Sequence, residues 1–167
     1  MNCKPLVLLV AALVFGPGGL QASPASAKKV LCEKEASVLA REGKLEQGIN
    51  AIEQCIKKDP TRAKAHVVLG YLLLDQGDMQ RALLSFDKAL GLRPRTSAAK
   101  TGKGIILSRG GNFKEAEPLL KDALKLNPDP ARTYYELGVL YEQLGDMQLA
   151  LSHFKQGITS GEQKKGR

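Results

Sequence analysis

Residues 65–94 read AHVVLGYLLLDQGDMQRALLSFDKALGLRP. Apolar residues recur at helical spacing up to Leu74, stop at Gly77-Asp78, resume from Ala82 to Leu92 and end at Pro94, a pattern that predicts two helices joined by a tight turn. Asp78 is placed to cap the second helix, its side-chain oxygen accepting an amide that has no partner inside the helix. Gly70 and Ala82 are short enough to let the two helices approach closely, and so mark their crossing.

The same signals return along the chain. Pro60, Pro94 and Pro128 are 34 residues apart, as are Gly43, Gly77, Gly111 and Gly145. Ala36, Gly70, Gly104 and Gly138 keep that period, as do Gly48, Ala82, Ala116 and Ala150, and the large apolar Ile52, Phe86, Leu120 and Phe154. Self-similarity at one fixed period divides the chain into units at 29–62, 63–96, 97–130 and 131–164. Asn112 and Asp146 repeat the capping place of Asp78. Pro118 lies inside the second helix of the third unit, where it removes one donor and strains the early turns, although neighbouring packing is expected to hold the helix.

This pattern resembles the tetratricopeptide repeat, in which Leu-Gly, aromatic, Ala, Phe, Ala and Pro residues stand at set offsets. Leu69, Gly70, Ala82, Phe86, Ala89 and Pro94 carry the likeness in the second unit, and Tyr134, Leu137, Gly138, Tyr141, Ala150 and Phe154 in the fourth. Glu35 and Lys103 depart from the Leu position, and Glu162 from the last Pro. The resemblance implies an all-α fold, an α-solenoid of four helix-turn-helix repeats in a right-handed superhelix with a concave peptide-binding face. Carried across by position, that face holds Lys64, Val67, Tyr71, Leu74 and Asp75, then Thr101, Ile105, Ser108 and Arg109, then Arg132, Tyr135, Val139 and Glu142, with Glu33, Ser37 and Arg41 from the first unit. Its apolar, aromatic centre with basic surroundings suits an extended or helical peptide with apolar anchors and some acidic character. The other reading is a lightly used face on a scaffold that binds elsewhere. The Lys and Asn carboxylate clamp of the family's chaperone-binding members is absent, since Ser37, Tyr71, Ile105 and Val139 occupy the Asn place.

The first residues, MNCKPLVLLVAALVFGPGGLQASPASAKK, combine one Lys, an apolar run from Leu6 to Phe15, helix breakers and a small-residue site at Ala25-Ser26-Ala27. These features predict a secretory signal peptide over 1–27, cleaved after Ala27, and a periplasmic or secreted protein. The alternative, an uncleaved anchor, has an apolar run about half the roughly 20 residues a spanning helix needs. Neither Cys3 nor Cys32 follows a lipobox. Cleavage removes Lys4 and no acidic residue, so the formal charge falls by one from +8 to +7. Cys32 and Cys55 then remain, brought together by antiparallel packing of the first helix pair, either as a disulfide or as two buried thiols.

Other chemistries find no support. In 167 residues with 25% charged, Lys and Arg are interspersed with Asp and Glu rather than gathered in a stripe for nucleic acid. The TGKG at 101–104 lacks the first Gly of a phosphate loop, where Ser97 stands, and has Gly104 in place of the Ser or Thr. It lies in a predicted helix, Ala98–Arg109, whose two glycines make it the expected softest. His66 and His153 stand in different units without metal-ligand spacing, His66 as a packing residue and His153 facing solvent. No serine has a triad context, and Glu33/Glu35 and Glu115/Glu117 are two apart, aimed at different faces. The reading is a non-enzymatic interaction scaffold with no cofactor, no metal and no small-molecule substrate, binding a protein or peptide partner in a secretion, pilus or envelope assembly. Its alternative is an accessory subunit of an exported enzyme. The short polar ending 161–167, SGEQKKGR with Ser160, is expected to leave Leu149, Phe154 and Ile158 without a cap, to be covered by a partner or by a second copy in a homo-oligomer, or else simply tolerated as exposed apolar surface.

Overall fold

The computed structural model describes residues 24–126 and 130–165, with side chains described over 32–126 and 130–162. The described residues form eight helices: α1 (Pro24–Arg41), α2 (Leu45–Lys58), α3 (Ala63–Gln76), α4 (Met79–Leu92), α5 (Ser97–Arg109), α6 (Phe113–Leu126), α7 (Ala131–Gln143) and α8 (Met147–Lys165). They pack as four successive pairs, α1 with α2 through α7 with α8, and each even helix also meets the next odd one. The signal-peptide expectation for 1–27 falls mostly outside the described residues. Its cleavage point after Ala27 falls within the first turn of α1. Of the expected tail at 161–167, residues 161–165 continue α8, with no proline to interrupt them, and 166–167 lie outside the described residues.

The periodic glycine closes every hairpin in one way. Gly43, Gly77, Gly111 and Gly145 all have positive φ, 77° to 90°, the left-handed region that costs a residue with a Cβ. The amide after each glycine reaches back to close the helix: Asp78 to the Leu73 carbonyl at 2.9 Å, and Lys44, Asn112 and Asp146 to Leu39, Leu107 and Tyr141 at 2.8–2.9 Å. This is the Schellman closure, which satisfies carbonyls otherwise left open at a helix end. The next helix starts at once. Asp78 and Asp146 each accept an amide hydrogen at 3.0 Å, from Arg81 and Leu149. At Asn112 the backbone carbonyl takes the amides of Glu115 and Ala116, and α2 has no side-chain cap from Lys44. The other end of the hairpin is set by proline, which pushes the residue before it out of the helical region: Asp59 and Arg93 have φ −147° and −144°. Pro118 leaves α6 continuous from Phe113 to Leu126, as expected.

Within each pair a large side chain fills the space a glycine leaves. A Cβ at Gly70 would lie 2.6 Å from the Phe86 ring, one at Gly104 2.7 Å from Leu120, and one at Gly138 2.5 Å from Phe154. The first pair reverses the arrangement. Ala36 stands at the glycine place, and Gly48 yields instead, since a Cβ there would meet the Ala36 carbonyl oxygen at 2.7 Å. Between pairs, Gly102 of α5 lies against the other side of the Phe86 ring, again with no room for a Cβ. Both glycines of the expected soft helix are therefore contact points. Alpha-helix α5 buries seven residues and touches α3, α4, α6 and α7, which opposes the propensity cost of glycine.

At the first pair, Cys32 and Cys55 face each other with Cα atoms 6.4 Å apart, a separation a disulfide spans. Arg62 donates to the two sulfurs at 3.4 and 3.6 Å and pairs with the buried Glu33 at 2.8 Å. His66 packs in the core, as expected, and its Nε2 lies 2.9 Å from the Pro60 carbonyl. His153 departs from its expected solvent-facing place: it is half-buried and stacks on Tyr134 and Tyr141, with centroids 6.0 and 5.3 Å apart. The ring is drawn in because α8 presents it to both aromatics of α7.

These contacts separate glycines that must stay from those that need not. Gly102→Ala improves helix propensity but overpacks the Phe86 ring, so it is expected to cost about 1–3 kcal/mol and lower the Tm by several degrees. Gly91→Ala in α4 meets nothing within 4 Å and is expected to be neutral or to stabilise by up to about 1 kcal/mol. Thermal unfolding followed by circular dichroism compares the two; a Tm gain at Gly102 would contradict the interlock.

Candidate binding surface

The curvature of the array follows from which helices touch. Among the described residues α1, α3, α5 and α7 contact one another in series, whereas no such contacts join the even helices. The odd helices thus form the inner, tighter row and the even helices the outer one. A cavity of about 520 Å³ opens on the inner row, between α1 and α3 and under Arg132 of α7. Its floor is apolar, with Ala40, Val68 and Leu72, and its rim carries Arg41, Asp75 and Arg132.

Tyr71 is the fixed point of this cavity. Its hydroxyl donates to the Ala98 carbonyl at 2.8 Å, its ring meets Phe86 edge-on at 5.1 Å, and the Arg132 guanidinium lies 4.1 Å over its face. Burial pushes the Tyr71 phenol up to about 12, with Arg132 opposing, so it stays a neutral donor. Stacking on the ring holds Arg132 in place while leaving it about half exposed. One turn on, Glu136 approaches Arg132 at 3.9 Å, beyond hydrogen-bond distance. Burial raises the Glu136 carboxyl above its ordinary value, and Arg132 and then Arg109 oppose that rise.

The residues expected on the peptide face divide into three groups. Lys64, Arg109 and Arg132 are exposed, and Tyr71 and Val139 are half-buried. Val67, Leu74 and Ile105 are only 8%, 5% and 1% exposed, so they are core residues and not groove residues. Thr101 and Ser108 are buried as well, Thr101 sharing a 2.9 Å hydrogen bond with Thr133 of α7 and Ser108 donating to Gln143. The reason is common to all five: the odd helices pack directly on each other, and side chains on those faces are consumed by the contact. Glu33 likewise turns inward to Arg62. Tyr135 lies elsewhere, 57% exposed on the end of the array.

That end is apolar. Ala131, Tyr135, Phe154, Gly157 and Ile158 line a cavity of about 470 Å³. Thr101 and Val67, one and two periods before Tyr135, are covered by the helix that follows them, whereas Ile158 is 63% exposed. Sequence reasoning anticipated this open end from Leu149, Phe154 and Ile158. It did not single out Glu136, although a signal existed: a carboxylate stands where Val68 and Gly102 stand in the two preceding periods. A second polar group it missed is on the outer side, where Tyr141 donates to Glu117 at 2.6 Å and Lys121 pairs with the same carboxylate, holding Glu117 below its ordinary value. Among the described residues no helix is long and apolar enough to cross a membrane, and no three His, Cys, Asp or Glu residues gather for a metal.

Comparison with known proteins agrees with this architecture. The family model of the tetratricopeptide repeat matches residues 33–97 and 101–164. Human tetratricopeptide repeat protein 7A is 33% identical over 79 residues, 47% of this chain and 9% of that protein; the chain spans about a tenth of the length of the first curated relatives it matches. Among solved structures, the thermophilic TPR protein TTC0263 of Thermus thermophilus superposes with TM-score 0.72 at 21% identity, covering 80% of this chain and 75% of that one. PilF of Pseudomonas aeruginosa gives TM-score 0.71 at 20% identity, covering 81% and 62%. With glycine-closed hairpins at a 34-residue period and the family model matching most of its length, the chain belongs to the tetratricopeptide repeat family.

Proposed function

We propose that this chain is a non-catalytic scaffold, exported to the cell envelope, that binds a peptide segment of a protein partner along its odd-helix groove. Membership of a family of protein-interaction repeats supports the scaffold role. The observation that carries the peptide reading is the cavity floored by Val68 and Leu72 and rimmed by Arg41 and Arg132, an apolar anchor site with fixed charge at its edge. Export rests on the apolar run Leu6–Phe15 and the small-residue site ending at Ala27. A secretion, pilus or envelope assembly is the setting in which an exported scaffold of this size would act.

Crosslinked affinity capture from the native envelope tests the groove, comparing wild type with Arg41→Glu/Arg132→Glu. Both arginines are exposed, but a glutamate at 132 faces the mostly buried Glu136, so the variant is expected to stay folded with a modestly lower Tm while losing the partner. A partner retained by the variant would move binding to another face.

Export and oxidation predict the state of the cysteines. Intact mass of the purified protein should begin at Lys28, and alkylation before reduction should label neither Cys32 nor Cys55, which are 23 residues apart. Closing a loop of that length is worth roughly 3 kcal/mol by the chain-entropy relation, so reduction should lower the Tm. Alkylation of both thiols without reduction would show two packed cysteines instead.

An accessory subunit of an exported enzyme is the second reading, favoured by the apolar end face of Tyr135, Phe154 and Ile158. Such a face suits a permanent partner better than a transient one. Ile158→Glu is expected to break a stoichiometric complex of this kind without altering binding in the groove.

A further inference from the structure

The groove's own charges say which peptide it takes. Arg132 is held over Tyr71 at 4.1 Å, so its guanidinium is ordered before any ligand arrives. Its approach to Glu136 is through Nε at 3.9 Å, which is too long for a hydrogen bond, so no bidentate grip joins the two. Glu136 is itself mostly buried, and its approach to Arg132 is its ion pair among the described residues. Its 3.9 Å approach to an arginine that itself lies 4.1 Å over Tyr71 places this carboxylate beside the Tyr71–Arg132 stack. By the 34-residue period Glu136 occupies the place of Val68, a floor residue of the cavity.

We infer that the groove selects a peptide carrying an acidic side chain next to an apolar one, the carboxylate binding Arg132 and the apolar group entering the cavity above Val68 and Leu72, and that Glu136 is an internal competitor for that arginine. This deepens the groove reading and rests on it. A ligand carboxylate would reach the exposed outer edge of Arg132 with two parallel hydrogen bonds, whereas Glu136 at 3.9 Å makes none to it. Arg41, on the same rim, adds attraction, and Asp75 opposes it. Glu136 repels the incoming carboxylate and so sets a threshold: a single weakly placed acid does not bind, whereas an acid anchored by its apolar neighbour does. A glutamine at 136 would keep the shape and remove the repulsion.

The test is fluorescence anisotropy of the full chain with a labelled, C-terminally amidated peptide of repeated Glu-Leu-Gly, and with its Gln-Leu-Gly twin. Wild type is expected to bind the acidic peptide about tenfold or more tightly than the twin, with affinity falling as salt is raised. Free glutamate and acetate should not displace the probe, which places the carboxylate on a peptide. Glu136→Gln should tighten binding of the acidic peptide by roughly three- to tenfold, and Arg132→Gln should abolish the preference for it. Glu115→Gln, an exposed carboxylate on the outer helix α6, controls for net charge and should leave affinity unchanged to within about twofold. Equal tightening by both variants would overturn the role of Glu136, as would unchanged or weaker binding in Glu136→Gln. Equal binding of the two peptides, or binding of neither, overturns the acidic specificity. The groove reading is judged separately: if the Arg41→Glu/Arg132→Glu variant still loses its captured partner, the groove stands and only the assignment of its ligand falls.

Discussion

The interlock of a ring with two glycines organises this molecule. Phe86 is fully buried, with Gly70 of its own hairpin on one side and Gly102 of the next on the other. A side chain that large has room only because neither neighbour carries a Cβ, so the same contact fixes the crossing within one pair and the stacking of the next. Leu120 against Gly104 and Phe154 against Gly138 repeat the first half of it. Helix propensity alone would disfavour glycine at all these places by about 1 kcal/mol each, which shows packing winning over local preference.

The interlock also reaches the groove. Phe86 supports Tyr71 edge-on, Tyr71 anchors to the Ala98 carbonyl, and Arg132 lies on the far face of the tyrosine. A rigid path therefore runs from the core of the second hairpin to a cation on the fourth. Precision at the binding surface comes from this path, because an arginine on an inner helix without the ring beneath it would sample many rotamers and lose them on binding. The polar contacts between inner helices, Thr101 with Thr133 and Ser108 with Gln143, join the same helices where apolar packing gives way.

The two ends of the array are unlike. At the first pair, where the repeat pattern is weakest, Arg62 joins Glu33 and both sulfurs in one buried polar group. A buried ion pair of this kind costs desolvation and returns orientation, tying the turn before α3 to α1. Among the described residues no such group lies at the last pair. Tyr135, Phe154 and Ile158 instead line an apolar cavity there.

By itself the sequence determined the helical hairpins, their period and their turns, because those depend on local rules: glycine for positive φ, aspartate for an open amide, proline for an extended residue before it. It also placed Tyr71, Arg109 and Arg132 on the inner helices and foresaw the open end at Ile158. Only the tertiary structure decided which inner-helix side chains remain available. Val67, Leu74 and Ile105 look like ligand contacts in one dimension and are core residues in three, since adjacent inner helices pack closely enough to consume them. The approach of Arg132 to Tyr71, 61 positions apart in the chain, and the place of Glu136 beside them depend on the curvature of the whole array. No local pattern records that curvature, because it arises from how four hairpins stack.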